Sequence, residues 1–411
     1  MSSIKEQLTN YARLLLQEGV NLQKGQTLVI NVDVENYTFA ELVTKEAYKL
    51  QAANVIINWR HTPISKERLL HAPESTLKEV DPWVPAYYKT YIDKKAAFLS
   101  LISADPKALQ GVDSKRVTLQ SSAINTAIPF YHKAIMESAV TWCVAAVASL
   151  TWANLLGYTG SDEEKLNSLW QTIFTLCRID HTEPGQDMSS HLKRLEKRTR
   201  ALNAVHFIEL HYTDAKGSDL HIKLPKNHVW EGGTEANKEG ILFNANIPSE
   251  EVFTAPDRLG VNGIIHSSKP LIYQGNRIDN FTITFKDGKV VDYQAKEGRD
   301  FLTSLFDIDE GSSYLGEVAL VDHYSPISQS GHIFYETLFD ENVSCHLAFG
   351  AAYPTCLAES DGLSKEELEA RGLNQSMSHV DFMVGSESLS ITGLTDDGAK
   401  IAIMKDGHLL F

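Results

Sequence analysis

Residues 25–32 have the sequence Gly25-Gln26-Thr27-Leu28-Val29-Ile30-Asn31-Val32, an almost continuously apolar run that predicts a short β-strand. Similar strands are predicted at residues 53–59, 97–102 and 139–146, and helices are predicted near 3–17, 37–50 and 114–137. Short apolar strands that alternate with helices are typical of a mostly parallel sheet covered on both faces. We therefore predict an α/β domain with such a sheet for residues 1–185.

The character of the sequence changes after Thr182-Glu183-Pro184, and we place the domain boundary near Gly185. Three hairpins are predicted beyond it, at residues 205–224, 281–293 and 401–407, each with a turn that contains glycine. A helix is predicted near 297–307. Residues 186–411 are therefore predicted to form an α+β domain with a mainly antiparallel sheet.

Length and composition limit the classes of protein that this chain can belong to. It has 411 residues, which favours two domains, and its net charge of −15 argues against nucleic acid or an anionic membrane as a main partner. No apolar run is long enough for a transmembrane helix, and the first residues do not resemble a signal peptide. We expect a cytoplasmic protein whose four cysteines are thiols.

The chemistry is concentrated in the last hundred residues, in four short fragments and one upstream pair. The fragments hold two histidines and four carboxylates; they are Leu315-Gly316-Glu317, Phe339-Asp340-Glu341-Asn342, Cys345-His346-Leu347-Ala348-Phe349-Gly350 and Ser378-His379-Val380-Asp381-Phe382. In a strand, His379 and Asp381 share a face and lie about 7 Å apart. The upstream glutamates Glu250 and Glu251 point to opposite faces if extended, so one of them at most can join the same site.

Each fragment taken alone is more simply explained as structural, for example as a buried hydrogen-bonded histidine or an exposed glutamate at a strand end. Together they form a ligand set that suits Zn²⁺, Co²⁺, Mn²⁺ or Mg²⁺, because it contains imidazoles and carboxylates and requires no cysteine. There are more carboxylates than one ion needs. We therefore predict a bridged pair of divalent ions, which would act on both the attacking water and the scissile carbonyl oxygen.

Several longer phrases in this half resemble the aminopeptidase T / aminopeptidase S family of metallo-aminopeptidases. They are Pro-Ser-Glu-Glu-Val-Phe-Thr-Ala-Pro (248–256), Leu-Gly-Glu (315–317), His-Leu-Ala-Phe-Gly-Ala-Ala-Tyr (346–353) and His-Val-Asp-Phe-Met-Val-Gly-Ser (379–386). The resemblance covers nearly the whole chain. It implies a cytosolic, homodimeric exopeptidase with a two-metal site in its C-terminal domain.

The resemblance also implies roles for individual residues. Glu251 corresponds to a metal ligand and Glu317 to the bridging, catalytic ligand, and Tyr353 resembles the family's active-site tyrosine. The remaining ligands that it implies are Glu341, His346, His379 and Asp381. The expected reaction is hydrolysis of the first peptide bond of short peptides that have a free N-terminus.

Two other functions are compatible with the residues. One is a non-enzymatic protein that binds a small ligand on a doubly wound sheet, although Val32-Asp33-Val34-Glu35-Asn36 after the first strand lacks the glycine-rich turn expected of such a site. The other is a metal-dependent amidase that acts on a non-peptide substrate. Metal analysis separates the binding protein from the two enzymes.

Overall fold

The computed structural model describes residues 3–179, 185–273, 276–360 and 362–411. The chain divides into two compact units. The first contains Met1–His191, Thr234–Pro248 and His332–Leu338, and the second contains Leu192–Gly233, Ser249–Gly331 and Phe339–Phe411. The predicted boundary after residue 185 relied on Thr182-Glu183-Pro184, which lies outside the described residues, and it stays a prediction.

The first unit is built on a five-stranded sheet in which every pairing is parallel. Its strands are, in spatial order, β2 (Asn54–Arg60), β1 (Thr27–Asp33), β3 (Ala97–Ile102), β4 (Trp142–Ala146) and β9 (Asn246–Ile247). Leu28, Val29 and Ile30 of β1 are fully buried, as the apolar run at residues 25–32 predicts. The predicted parallel sheet is confirmed.

Helices connect the parallel strands, and a small two-stranded ladder accompanies them. The helices are α1 (Ile4–Leu14), α2 (Tyr37–Lys49), α3 (Thr62–His71), α4 (Glu74–Leu77), α5 (Trp83–Asp93), α6 (Ser114–Ala127), α7 (Pro129–Met136), α8 (Leu150–Leu155) and α9 (Asp162–Leu176), and the ladder consists of β7 (Glu235–Ala236) and β8 (Leu242–Phe243). The predicted continuous helix near 114–137 is wrong, because it breaks at Ile128. A residue that precedes proline is disfavoured in helical conformation, and Pro129 follows it.

The second unit begins within α10 (Met188–Val205) and contains two antiparallel sheets. The larger has the order β12 (Leu271–Tyr273), β13 (Asn276–Lys286), β11 (Val261–His266), β6 (Asp219–Lys223), β5 (Phe207–Thr213), β18 (Ser390–Thr395), β19 (Lys400–Lys405) and β20 (His408–Leu409), and β14 (Lys289–Glu297) pairs with β13. The three predicted hairpins correspond to β5–β6, β13–β14 and β19–β20, and all three are confirmed.

The smaller sheet has four antiparallel strands, in the order β10 (Glu251–Thr254), β15 (Leu315–Val321), β16 (His346–Gly350) and β17 (His379–Met383). Short helices complete the unit, namely α11 (Arg299–Phe306), α12 (Pro326–Gln329), α13 (Thr337–Asp340) and α14 (Lys365–Ala370). The predicted α+β character of this half is confirmed. Among the helices of the described ranges, none is both long and apolar enough to cross a bilayer.

Candidate metal centre

One face of the four-stranded sheet gathers the polar residues that the sequence singles out. Residues directly opposite each other in an antiparallel pair point to the same face. Ala348 lies opposite both Glu317 and Asp381, and Gly350 lies opposite His379. His346 lies opposite Ala319, and Ala319 lies opposite Phe253. Glu251 is two residues before Phe253 in the same strand, so its side chain points to the same face. Every strand of this sheet therefore contributes at least one side chain to a common surface.

The other face of the same sheet is apolar and fixes the strands in register. Val318, Leu347, Phe349 and Phe382 are almost completely buried, and the rings of Phe349 and Phe382 stack with centroids 4.3 Å apart. A slip by one residue would move these side chains to the polar face and the carboxylates into the core. The alternation of apolar and polar residues in β16 and β17 therefore determines where the histidines and carboxylates point.

The side chains on the polar face come within contact distance of each other. His346 Nε2 lies 3.5 Å from Glu251 Oε2 and 3.4 Å from Glu317 Oε1. His379 Nε2 lies 3.2 Å from Glu317 Oε2 and 3.3 Å from Asp381 Oδ1. Glu317 thus contacts both imidazoles, one with each carboxylate oxygen. The result is two groups of three potential ligands, Glu251/Glu317/His346 and Glu317/His379/Asp381, each with its ligand atoms within 4.8 Å of one another.

Backbone carbonyl groups hold both imidazoles in one orientation. His346 Nδ1 lies 3.2 Å from the Ser344 oxygen, and His379 Nδ1 lies 2.7 Å from the Ala351 oxygen. A carbonyl oxygen can only accept a hydrogen bond, so each Nδ1 carries the hydrogen and donates it. In the neutral imidazole the lone pair is then on Nε2, the atom that faces the carboxylates. This is the arrangement in which histidine usually binds a metal.

Burial and mutual contacts shift the pKa values of these groups in opposite directions. Burial raises the pKa of Glu251 to about 7. Burial also disfavours the charged form of Glu317, but its contacts with His346 and His379 lower its pKa to about 2. Burial would lower the pKa of each imidazole, but the contact with Glu317 raises the pKa of His346 to about 10, and the contacts with Asp381 and Glu317 raise that of His379 to about 11. The cluster thus stabilises positive charge at its centre, and a bound cation would take the place of the protons on the two Nε2 atoms.

Two carboxylate oxygens give a direct test of whether a metal fits here. Glu251 Oε2 and Asp381 Oδ1 are buried, and within the described residues neither accepts a hydrogen bond of good geometry. An unsatisfied buried carboxylate oxygen is costly. Both atoms point at the imidazole Nε2 atoms, so a divalent cation bound between them would satisfy the anionic oxygens and the nitrogen lone pairs together. The donor set therefore fits metal binding.

The remaining predicted residues lie at the edge of this cluster. Glu341 belongs to neither ligand group, but burial and the charge of Glu251 raise its pKa well above the usual range, so it lies within electrostatic reach. The Tyr353 ring lies 5.1 Å from the His379 ring. Burial and nearby carboxylates, Glu317 first, raise its pKa, so the phenol keeps its proton. Glu250 is buried outside both groups, and its backbone N–H donates to Asn342 Oδ1 at 2.7 Å.

The two cysteines near the cluster have a structural explanation. Cys345 alternates with His346 and points to the opposite face, where its Sγ lies 3.2 Å from both the nitrogen and the oxygen of Val321. Burial raises its pKa to about 12, so it remains a thiol. Cys356 is also buried, and burial raises its pKa. Neither cysteine belongs to a ligand group within the described part of the chain.

Sequence reasoning missed the residues that make room for the cluster and those that hold its edge. Ala319 and Ala348 are buried on the polar face between the ligands, and the spacing of two residues from Glu317 and His346 was the available signal. Asn374 gave no such signal. Asn374 is fully buried, and its side-chain Nδ2 donates to the Gly350 oxygen at 2.6 Å. Its backbone carbonyl accepts the Ala352 N–H at 2.9 Å. These two hydrogen bonds support the segment before Tyr353.

Comparison with known proteins shows the family to which the chain belongs. Residues 4–409 match the family model described as thermophilic metalloprotease (M29). The chain is 43% identical over its full length to aminopeptidase AmpS of Bacillus subtilis (strain 168), covering all of that protein, and 43% identical over 99% of its length to aminopeptidase PepS of Streptococcus thermophilus, covering 98% of it. The solved structure of wild-type AmpT from Thermus thermophilus matches with a TM-score of 0.91 and 34% identity over the whole of both chains. The chain therefore belongs to the M29 family of metalloproteases and is a metal-dependent aminopeptidase.

Proposed function

We propose that this enzyme removes the N-terminal residue from short peptides, using two divalent ions that share Glu317 as a bridging ligand. The observation that carries the proposal is the position of Glu317, which belongs to both ligand groups and contacts one histidine with each oxygen. Glu251 and His346 would complete one ion's ligands, and His379 and Asp381 the other's. Glu341, whose charge couples to Glu251 and Asp381, is proposed to complete the set.

When bound, a pair of divalent ions supplies Lewis-acid polarisation of a carbonyl and a water activated for attack. The residues of the chain supply orientation and hydrogen bonding. The backbone carbonyls of Ser344 and Ala351 keep the imidazoles turned toward the cluster. Tyr353 is proposed to donate its phenolic hydrogen to the developing oxyanion, a role that requires the protonated phenol favoured by its raised pKa.

Counting the metal tests the two-ion proposal. The wild-type protein and the variants His346→Gln and His379→Gln are each reconstituted with an excess of the same divalent metal. The number of ions bound per chain is then measured by elemental mass spectrometry. Each variant should hold one ion fewer than the wild type, and Glu317→Gln should weaken the binding of both. A loss of all bound metal on removal of either histidine alone would indicate a single mononuclear site.

A substrate panel separates an aminopeptidase from the alternative non-peptide amidase. Peptides with a free N-terminus should release their first residue, and their N-acetylated forms should be cleaved roughly tenfold more slowly or worse, because acetylation removes the charge and the lone pair of the α-amine that an exopeptidase must bind. Liquid chromatography with mass spectrometry identifies the products. Equal cleavage of blocked peptides, or faster turnover of simple non-peptide amides, would favour the amidase.

We also propose, from the family resemblance, a homodimer located in the cytoplasm, with no nucleic-acid or membrane partner. Light scattering on the purified protein measures the oligomeric mass directly. A monomer at assay concentration would refute the dimer without affecting the proposed reaction.

A further inference from the structure

A second group of histidines and carboxylates lies on the nine-stranded sheet, separate from the ligand groups of the four-stranded sheet. His211 of β5 and His221 of β6 are directly opposite each other, so both point to the same face of the sheet. Glu209 and Asp219 lie two residues from these histidines along their own strands and therefore share that face. All four side chains are partly or largely accessible, with between 22% and 67% of each side chain exposed.

The side chains of this surface group contact each other at defined distances. The two imidazole rings stack almost in parallel, with centroids 4.0 Å apart and an angle of 12° between the planes. His211 Nε2 lies 2.7 Å from Asp219 Oδ1, and His221 Nε2 lies 3.8 Å from the same oxygen. An ion with bonds of about 2.0–2.2 Å to such atoms places its ligand atoms roughly 3–4 Å apart. The three residues have ligand atoms within 4.8 Å of one another. In the protein without an ion, His211 Nε2 donates its hydrogen to Asp219, so an ion that binds here would displace this proton. One of the two exposed rings would also turn out of the parallel stack, so that both Nε2 lone pairs are directed at the ion.

Glu209 adds an independent feature of a metal site. Its Oε1 lies 2.8 Å from His221 Nδ1, and because an ionised carboxylate only accepts, Nδ1 carries the hydrogen. The lone pair of His221 is then on Nε2, which faces Asp219. A carboxylate that orients a histidine in this way recurs behind metal-binding imidazoles. Glu209 would be an orienting residue and would not itself bind the ion.

We propose that His211 Nε2, His221 Nε2 and Asp219 Oδ1 bind one divalent transition ion at the surface of the nine-stranded sheet, with water completing its coordination. Two imidazoles select ions of the Zn²⁺, Ni²⁺ and Cu²⁺ class over Mg²⁺ and Ca²⁺, which prefer sites made of oxygen atoms. The ion would link β5 and β6 across the sheet. This site is distinct from the proposed catalytic centre, and neither proposal depends on the other.

Equilibrium dialysis of the full-length enzyme against a series of Ni²⁺ concentrations, followed by elemental analysis, tests the proposal. The double variant His211→Gln/His221→Gln should bind one Ni²⁺ fewer than the wild type. Glu209→Gln should retain the site but bind the ion roughly 10–100-fold more weakly, as expected when an orienting partner is lost. Peptide hydrolysis with the activating metal should be unchanged in all three proteins, because none of these residues belongs to the catalytic cluster.

His71→Gln provides a matched control. His71 is an exposed histidine of α3 with a single carboxylate partner, since its Nε2 lies 3.3 Å from Glu67 Oε2. One imidazole and one carboxylate make a poor site, so this variant should bind as much Ni²⁺ as the wild type. The proposal is overturned if the double variant binds as much Ni²⁺ as the wild type, or if His71→Gln loses as much Ni²⁺ as the double variant. The comparison is a difference between proteins, so it holds whatever number of ions the catalytic centre binds.

Discussion

Replacement of Tyr353 by phenylalanine isolates the contribution of one hydroxyl group to the reaction. The ring contacts of Tyr353 are with His379, at 5.1 Å between centroids, and with Phe253, at 5.9 Å, and phenylalanine preserves both. Within the described residues the hydroxyl takes part in no protein hydrogen bond, and 36% of the residue is exposed. Removal of the hydroxyl group should therefore change the free energy of unfolding by less than about 0.5 kcal/mol.

The expected kinetic effect is much larger than this change in stability. If the phenol donates to the oxyanion, its loss removes one donor from the transition state, which lowers kcat by roughly 10²–10³-fold, or about 2.7–4 kcal/mol. The Michaelis constant should change little, because the interaction is absent in the ground state. Steady-state kinetics on a free peptide, performed beside metal analysis and urea denaturation, measure all three quantities.

Tyr324→Phe is a matched control for this measurement. Like Tyr353, Tyr324 is a partly exposed tyrosine whose ring contacts a histidine, since it lies 3.9 Å from the ring of His408, but it belongs to neither ligand group. Its substitution should leave kcat unchanged. The reasoning fails if Tyr353→Phe retains near wild-type kcat with its full metal content. Oxyanion stabilisation would then rest on the metal ions, and Tyr353 would only pack against His379.

Three further predictions concern the four-stranded sheet. Glu317→Gln should lower kcat and metal content far more than Glu250→Gln, because only Glu317 belongs to the ligand groups; equal losses in two folded variants would refute this assignment. Ala348→Val places two methyl groups between Glu317 and Asp381 and should weaken metal affinity roughly 10–100-fold in calorimetric titration, and unchanged affinity would contradict it. Gly350→Ala should cost about 1–3 kcal/mol in urea unfolding, because Gly350 has φ +104° and a Cβ would lie 2.1 Å from the Ser378 oxygen; an unchanged midpoint would contradict this.

The fold could be predicted from the sequence where patterning and topology agree. Short apolar strands between helices gave the parallel sheet, and glycine-containing turns gave the three hairpins. The break of a helix by a single residue was harder to predict. Residues 114–137 were predicted as one helix, but Pro129 cannot donate the hydrogen bond that a continuous helix requires, and the first helix ends before it.

The candidate site was predictable at the level of residue type and strand alternation. His379 and Asp381 were expected on one face, and the pairing of β17 with β16 confirms it. The choice between Glu250 and Glu251 could not be made from the sequence, because an isolated strand has two equivalent faces. It is the pairing of Glu251 with Val321 that places this glutamate beside His346. The structural role of Asn374 could not be predicted from the sequence for a similar reason, because its hydrogen-bond partners are distant along the chain.

The apolar face of the four-stranded sheet takes part in defining the candidate metal centre. Phe349 and Phe382 stack on the side opposite the ligands, and their burial fixes the register of β16 against β17. That register places His379 opposite Gly350 and Asp381 opposite Ala348, where the small residues leave room beside the ligands. Because a shift by one residue would turn both ligands away from Glu317, the hydrophobic packing and the ligand geometry are two consequences of the same alternation.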